Sequence, residues 1–254
     1  MDIILIPGLW LDASSWDDVT PALEQAGHRV HALTMPGLGE SAATTADIGI
    51  ADWVATAVAA VDAVEGDVVV VGHSGGGNVA WGVADARPDR VSRVVFVDTV
   101  PPPPGNGISE FEIVDGVVPF PGWDFFPDED VHDLDEETRA RTEPLTSSVP
   151  ARVPTDGISL TDPARYRVPV TLLMGDLDQP TFESMIDQWG SFAEEYRAID
   201  DAEVIRIGSA HWPQFTVPDR LGELLAAAIR RDRAGWGQCP IPRPPSTGMT
   251  APEM

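Results

Sequence analysis

Residues 68–77 read Val-Val-Val-Val-Gly-His-Ser-Gly-Gly-Gly, an apolar run of strand length that opens directly onto a serine with glycine two positions to either side. A helix-spaced segment follows, with Val79, Ala80, Val83 and Ala84 before a stop at Arg87-Pro88. Strand, Gly-x-Ser-x-Gly, then helix is the context of a nucleophile elbow, a tight turn that pushes the serine hydroxyl outward. The glycines answer to close backbone approach and to the strained conformation of the central residue. A phosphate loop is excluded because no Lys-Ser/Thr pair follows the glycines, and the whole chain contains no lysine.

The elbow demands a parallel α/β sheet around it, and the flanking sequence has that rhythm. Residues 3–7 read as a buried strand, 16–26 as a helix ending at Gly27, and 29–34 as a second strand running into the turn-rich loop 35–41. A helix over about 50–64 leads into the valine strand, and another strand spans 91–98. Strands alternate with helices and no hairpin signal intervenes, so a doubly wound, mostly parallel sheet with right-handed crossovers is expected. From 101 to 166 the alternation breaks into Pro-, Asp-, Glu- and aromatic-rich sequence, too long for a plain loop, which predicts an inserted cap. The rhythm resumes with a strand at 168–174, a helix near 181–199 and a strand at 203–207. A closing helix then starts at Pro218, with Leu221, Leu224, Leu225, Ala228 and Ile229 on one face. The expected organisation is a core from 1–100 and 167–231, a cap at 101–166, and a disordered proline-rich tail at 232–254.

At 254 residues the chain suits one α/β domain with an insertion. The formal charge of −25, from 41 acidic and 16 basic residues, argues against nucleic acid and anionic membrane as partners, and most of these carboxylates belong to a solvated surface. The absence of lysine removes Schiff-base chemistry. The single cysteine, Cys239 in the tail, has no internal partner. No signal-peptide pattern or membrane-length apolar run is present, so a cytoplasmic location is expected. The oligomeric state is not specified by anything in the chain.

Ligands of open α/β sheets bind beyond the carboxyl ends of the strands. That address selects Ser74, three aspartates (Asp98, Asp176 and Asp178) and, after the last strand, His211. Serine, acid, histidine is a known triad order, in which imidazole takes the serine proton and a carboxylate fixes the tautomer. Of the five histidines only His211 has this address; His28 and His31 flank an early strand, His73 is inside the elbow, and His132 lies in the acidic insertion. Asp98 can alternatively cap a strand end and Asp176 can bond its own backbone. An oxyanion site needs two convergent N–H groups, for which Gly75 and Leu9, in the loop after the first strand, are the candidates. Trp10 and Trp123 are candidate substrate-binding walls, with core packing as the alternative for each. No metal-ligand cluster or dinucleotide fingerprint appears, so no cofactor and no metal are expected.

Over roughly 1–231 the chain resembles the α/β-hydrolase superfamily, on Gly72-His73-Ser74-Gly75-Gly76, the 36–41 loop, Gly175-Asp176-Leu177-Asp178 and Gly208-Ser209-Ala210-His211. It looks like the compact, single-core members, similar to the plant methylesterase and hydroxynitrile lyase group, since it begins at the oxyanion strand without the earlier hairpin. The resemblance implies a triad acid in the Gly-x-x-Asp turn after the insertion, which favours Asp178 over Asp98. Pro7-Gly8 stands where the family often has His-Gly, a departure in the oxyanion loop. Cyanohydrin-cleaving relatives rely on a lysine, absent here, and dehalogenases and epoxide hydrolases place an aspartate where Ser74 stands. The expectation is therefore a serine esterase or lactonase acting on a small neutral or apolar ester. A thioesterase, amidase or carbon–carbon bond hydrolase with the same triad, a small-molecule receptor, and a cofactor-independent oxygenase are the rivals.

Overall fold

A computed structural model describes residues 1–231; the 232–254 tail, expected to be disordered, and Cys239 within it lie outside the described residues. The chain opens with β1 (Asp2–Ile6), α1 (Thr20–Gln25) and β2 (Arg29–Ala32). Then come α2 (Ala42–Thr45), α3 (Ile50–Asp62), β3 (Val68–His73), α4 (Gly75–Ala86) and β4 (Val91–Val97). The excursion beyond β4 contains β5 (Val117–Val118), α5 (Asp128–Val131), α6 (Glu136–Thr142) and β6 (Val149–Pro150), with β5 and β6 pairing as a small antiparallel ribbon. The core resumes with β7 (Val170–Met174), α7 (Gln179–Ile186), α8 (Ser191–Arg197), β8 (Ala202–Arg206), α9 (Pro213–Thr216) and α10 (Pro218–Arg231).

Among the described residues the main sheet has six strands in the order β2-β1-β3-β4-β7-β8, all paired in parallel. Period-2 alternation explains its two buried faces. Ile3, Leu5, Val69, Val71, Val95 and Val97 pack with Leu221, Leu225 and Ile229 of α10 on one side. Ile4, Ile6, Val70 and Phe96 meet Trp53 of α3 and Trp81 of α4 on the other. α4 is buried around nearly its whole circumference, which its Gly and Ala content permits: a Cβ at Gly82 would stand 2.7 Å from a methyl of Val54. Beneath α4, Arg165 ion-pairs with Asp85 at 3.2 Å and Glu195 at 2.9 Å, and Trp81 Nε1 donates to Glu195 at 2.8 Å. This buried cluster ties the returning end of the excursion to α4 and α8.

Two helices differ from the pattern expected of the sequence. The helix read over 16–26 begins only at Thr20, because residues 13–16 form a separate 3-10 turn capped by Asp12, whose carboxylate accepts from the Ser14 N–H at 2.8 Å. The helix read over 181–199 is broken at Gly190, whose φ of +55° lies in the left-handed region. No helix of the described residues is long and apolar enough to cross a membrane.

The chain leaves β1 outward to β2 and returns on the other side of β1 to β3, so the direction of winding reverses between β1 and β3. A crevice forms beyond the strand ends at such a switch point. The loop after β1 and the elbow after β3 are its two walls.

Candidate functional site

Ser74 joins β3 to α4 with φ +51° and ψ −124°, a conformation that costs a non-glycine residue about 1–3 kcal/mol. The neighbours hold it there: its N–H donates to Val97 O at 3.1 Å and its carbonyl accepts from the Gly77 N–H at 2.8 Å. The elbow glycines are required by contact as well as by conformation. A Cβ at Gly76 would stand 2.5 Å from Pro7 O and 2.6 Å from Ile6 O, and one at Gly72 would overlap the Gly76 carbonyl.

Sheet register then decides which acid reaches the histidine. His73 pairs with Val97 and Val97 with Leu173, so the residue after β4, Asp98, lies in step with Ser74 one strand away. Asp98 also has a positive φ, +47°. Its Oδ1 accepts from the Gly175 N–H at 2.7 Å and its Oδ2 meets His211 Nδ1 at 2.6 Å. Burial works against ionisation of this carboxyl, but the His211 hydrogen bond and charge and the Gly175 amide together outweigh it and hold the acid below its ordinary range.

Asp178, the acid favoured by resemblance, is not brought to His211. It is exposed and caps α7, accepting from the Thr181 N–H at 3.0 Å, and that interaction lowers its pKa. The turn after β7 carries it away, while Gly175, with no side chain, leaves room for Asp98 and supplies an amide to it. Asp176 is also turned outward, paired with Arg206 at 2.6 Å.

The His211 loop is clamped from two sides. The excursion supplies Asp130 O, which accepts from the His211 N–H at 3.1 Å, and Asp133 Oδ2, which accepts from the Ala210 N–H at 2.9 Å. From below, His73 Nε2 contacts the His211 carbonyl at 2.8 Å, and His73 Nδ1 lies 3.2 Å from the Gln214 amide nitrogen. Burial, reinforced by the nearby His211 charge, lowers the His73 pKa to about 3, so the ring is neutral: Nε2–H donates to the carbonyl and Nδ1 accepts from Gln214. The variable residue of the elbow is thus a buried strut under the histidine loop. Only its place next to Ser74 marked it in the sequence.

Ser74 and His211 open on one cavity of about 240 Å³, with Leu9 and Gly75 in its lining. Gly75 is the first residue of α4, so its N–H has no acceptor within the helix. A Cβ there would stand 3.1 Å from Leu9 Cγ, which measures how closely the two walls approach. Trp10 lines the cavity, with φ +67° and its carbonyl accepting from Ser147 N–H at 2.8 Å. Trp123 does not line it. It is buried behind the wall, edge-on to Trp212 at 5.0 Å between ring centres, and Trp212 takes the lining position. Asp130 is a further lining residue that the sequence reading did not single out. Among the described residues no group of His, Cys, Asp or Glu is arranged to hold a metal ion.

The chain is similar to a carbendazim-hydrolyzing esterase of a Nocardioides species, 31% identical over 109 residues that cover 42% of this chain and 45% of that protein. It is also similar to methylesterase 8 of Arabidopsis thaliana, 34% identical over 109 residues that cover 42% of this chain and 40% of the relative. The chain therefore spans less than half the length of these curated relatives. Among solved structures, an extracellular alpha/beta-hydrolase from a Paenibacillus species superposes with a TM-score of 0.71 at 20% identity, covering 90% of this chain and 98% of the other, a likeness of fold. With the family model matched over residues 3–224, the chain belongs to the alpha/beta hydrolase family.

Proposed function

We propose that this protein is a serine hydrolase that cleaves a small carboxylic ester through an acyl-enzyme. The observation that carries the reading is the Asp98–His211 pair, 2.6 Å apart, on the same cavity as an elbow serine with φ +51°. A hydroxyl is a weak nucleophile at neutral pH and needs an oriented base, which this pair supplies. Esterase names among the relatives point the same way.

Ser74 Oγ attacks the ester carbonyl carbon as its proton passes to His211 Nε2, while Asp98 fixes Nδ1 as the protonated nitrogen. The N–H groups of Leu9 and Gly75 receive the oxyanion, aided by the positive end of α4. The carbon–oxygen bond breaks, the leaving alcohol takes the Nε2 proton, and the acyl group stays on Ser74. Water then gives a proton to Nε2, attacks the acyl carbon and releases the acid, and Ser74 regains its proton. The excursion between β4 and β7 acts as a cap over the strand ends and closes the apolar side of the cavity. At about 240 Å³ the cavity is smaller than the usual range for drug-sized ligands, which fits a short substrate.

The test is intact-mass labelling with a fluorophosphonate probe beside hydrolysis of short p-nitrophenyl esters. Wild type should gain one adduct at Ser74 and turn over the esters, and Ser74→Ala should do neither. A folded wild-type protein without adduct or turnover would refute the reading.

A further inference from the structure

The cavity has an uneven chemistry. Part of its wall is a run of aromatic rings: Trp10 meets Phe111 at 4.8 Å and Phe126 at 6.0 Å between ring centres, and Phe126 meets Trp212 at 4.7 Å. Asp130, half-buried on α5, lines the same space. It is the one carboxylate among the lining residues, which include no arginine. The charged groups acting on it are His211, Asp98 and Glu129, and among the described residues no ion pair engages it. Burial pushes its carboxyl above the ordinary range. A half-buried carboxylate on the same cavity as these rings, with no ion pair among the described residues, is favoured in its charged form when a cation arrives beside it.

Aromatic faces attract cations through the ring quadrupole, most strongly where water is excluded, and a cage of rings with one carboxylate suits a substituted ammonium. The chain's formal charge of −25 adds a field that draws cations toward it and repels anions. We propose that the substrate carries a positively charged nitrogen, seated against Trp10, Phe111, Phe126 and Trp212 with Asp130 as its counter-charge, and presents its ester carbonyl to Ser74. This rests on the ester-hydrolase reading and names the substrate class for it. It departs from the neutral substrate that the aromatic content alone suggests, because Asp130 lines the same cavity as those rings.

The test compares acetylcholine with its uncharged carbon isostere, 3,3-dimethylbutyl acetate, by pH-stat titration at low ionic strength. Calorimetric titration of phenyltrimethylammonium into wild type, Ser74→Ala and Asp130→Asn provides a readout independent of hydrolysis. The expected kcat/KM ratio favours the cationic ester by roughly tenfold in wild type and falls severalfold in Asp130→Asn. Phenyltrimethylammonium should bind wild type and Ser74→Ala alike and Asp130→Asn more weakly. Equal use of both esters with no ammonium binding would overturn the cation site and leave the ester reading standing. Ammonium binding that depends on Asp130, with neither these esters nor p-nitrophenyl esters hydrolysed, would sink the ester reading and keep the site. A cationic preference unchanged by Asp130→Asn would remove Asp130 from it.

Discussion

Replacing Asp98 by asparagine separates the two acids that compete for the triad. In the native site each carboxylate oxygen faces an N–H: Gly175 at 2.7 Å on Oδ1 and His211 Nδ1 at 2.6 Å on Oδ2. An amide has one acceptor and one donor end, so it cannot satisfy both. With its oxygen toward Gly175, its NH₂ meets Nδ1, which must then accept, and the imidazole proton moves to Nε2 where the base is needed. With its oxygen toward His211, two donors oppose each other in a largely buried position, so the first arrangement wins. The wrong tautomer costs about 10⁴ in turnover, which is about 5.4 kcal/mol of transition-state stabilisation at 1.36 kcal/mol per tenfold. Asp178→Asn should change turnover by less than roughly twofold, because asparagine caps a helix about as well as aspartate and the site is exposed. The assay is kcat for a short p-nitrophenyl ester with circular dichroism to establish folding. If Asp98→Asn stays within tenfold of wild type while Asp178→Asn loses orders of magnitude, the register argument is refuted.

Two further outcomes follow from the buried charges. His73 is neutral in the fold, with its pKa lowered from 6.5 to about 3, so the unfolded chain binds a proton there that the folded chain does not. Its share of stability is full above the unfolded value and is lost as pH falls toward 3. His73→Gln should therefore flatten the decline of Tm between pH 6.5 and 3, and an NMR titration of wild type should show one imidazole unresponsive between pH 5 and 8. A His73 ring that titrates near 6.5 would contradict this. Arg165→Met leaves Asp85 and Glu195 buried without their cation and should cost about 3–5 kcal/mol in urea unfolding. A loss under about 1 kcal/mol would show that the two carboxylates find protons or water at little cost.

Local sequence determined the parts of this protein whose physics is local. Four valines, a serine between glycines and a helix-spaced run specify strand, elbow and helix without reference to the rest of the chain, and Ser74 is found with its left-handed φ. The alternation of strands with helices gave the parallel sheet, and His211 was legible as the histidine after the last strand. Which aspartate meets His211 was not legible. Asp98 and Asp178 both follow a core strand, and spacing cannot tell which side chain turns inward. Tertiary structure decides it through strand register, which sets Asp98 level with Ser74, and through Gly175, which offers an amide and no side chain. The choice between Trp123 and Trp212 as the cavity wall, and the placing of Asp130 in the cavity lining, were settled in the same way. Which residues share a face is written in the short-range period of the chain, but which faces meet depends on contacts between residues a hundred positions apart, and no local pattern records them.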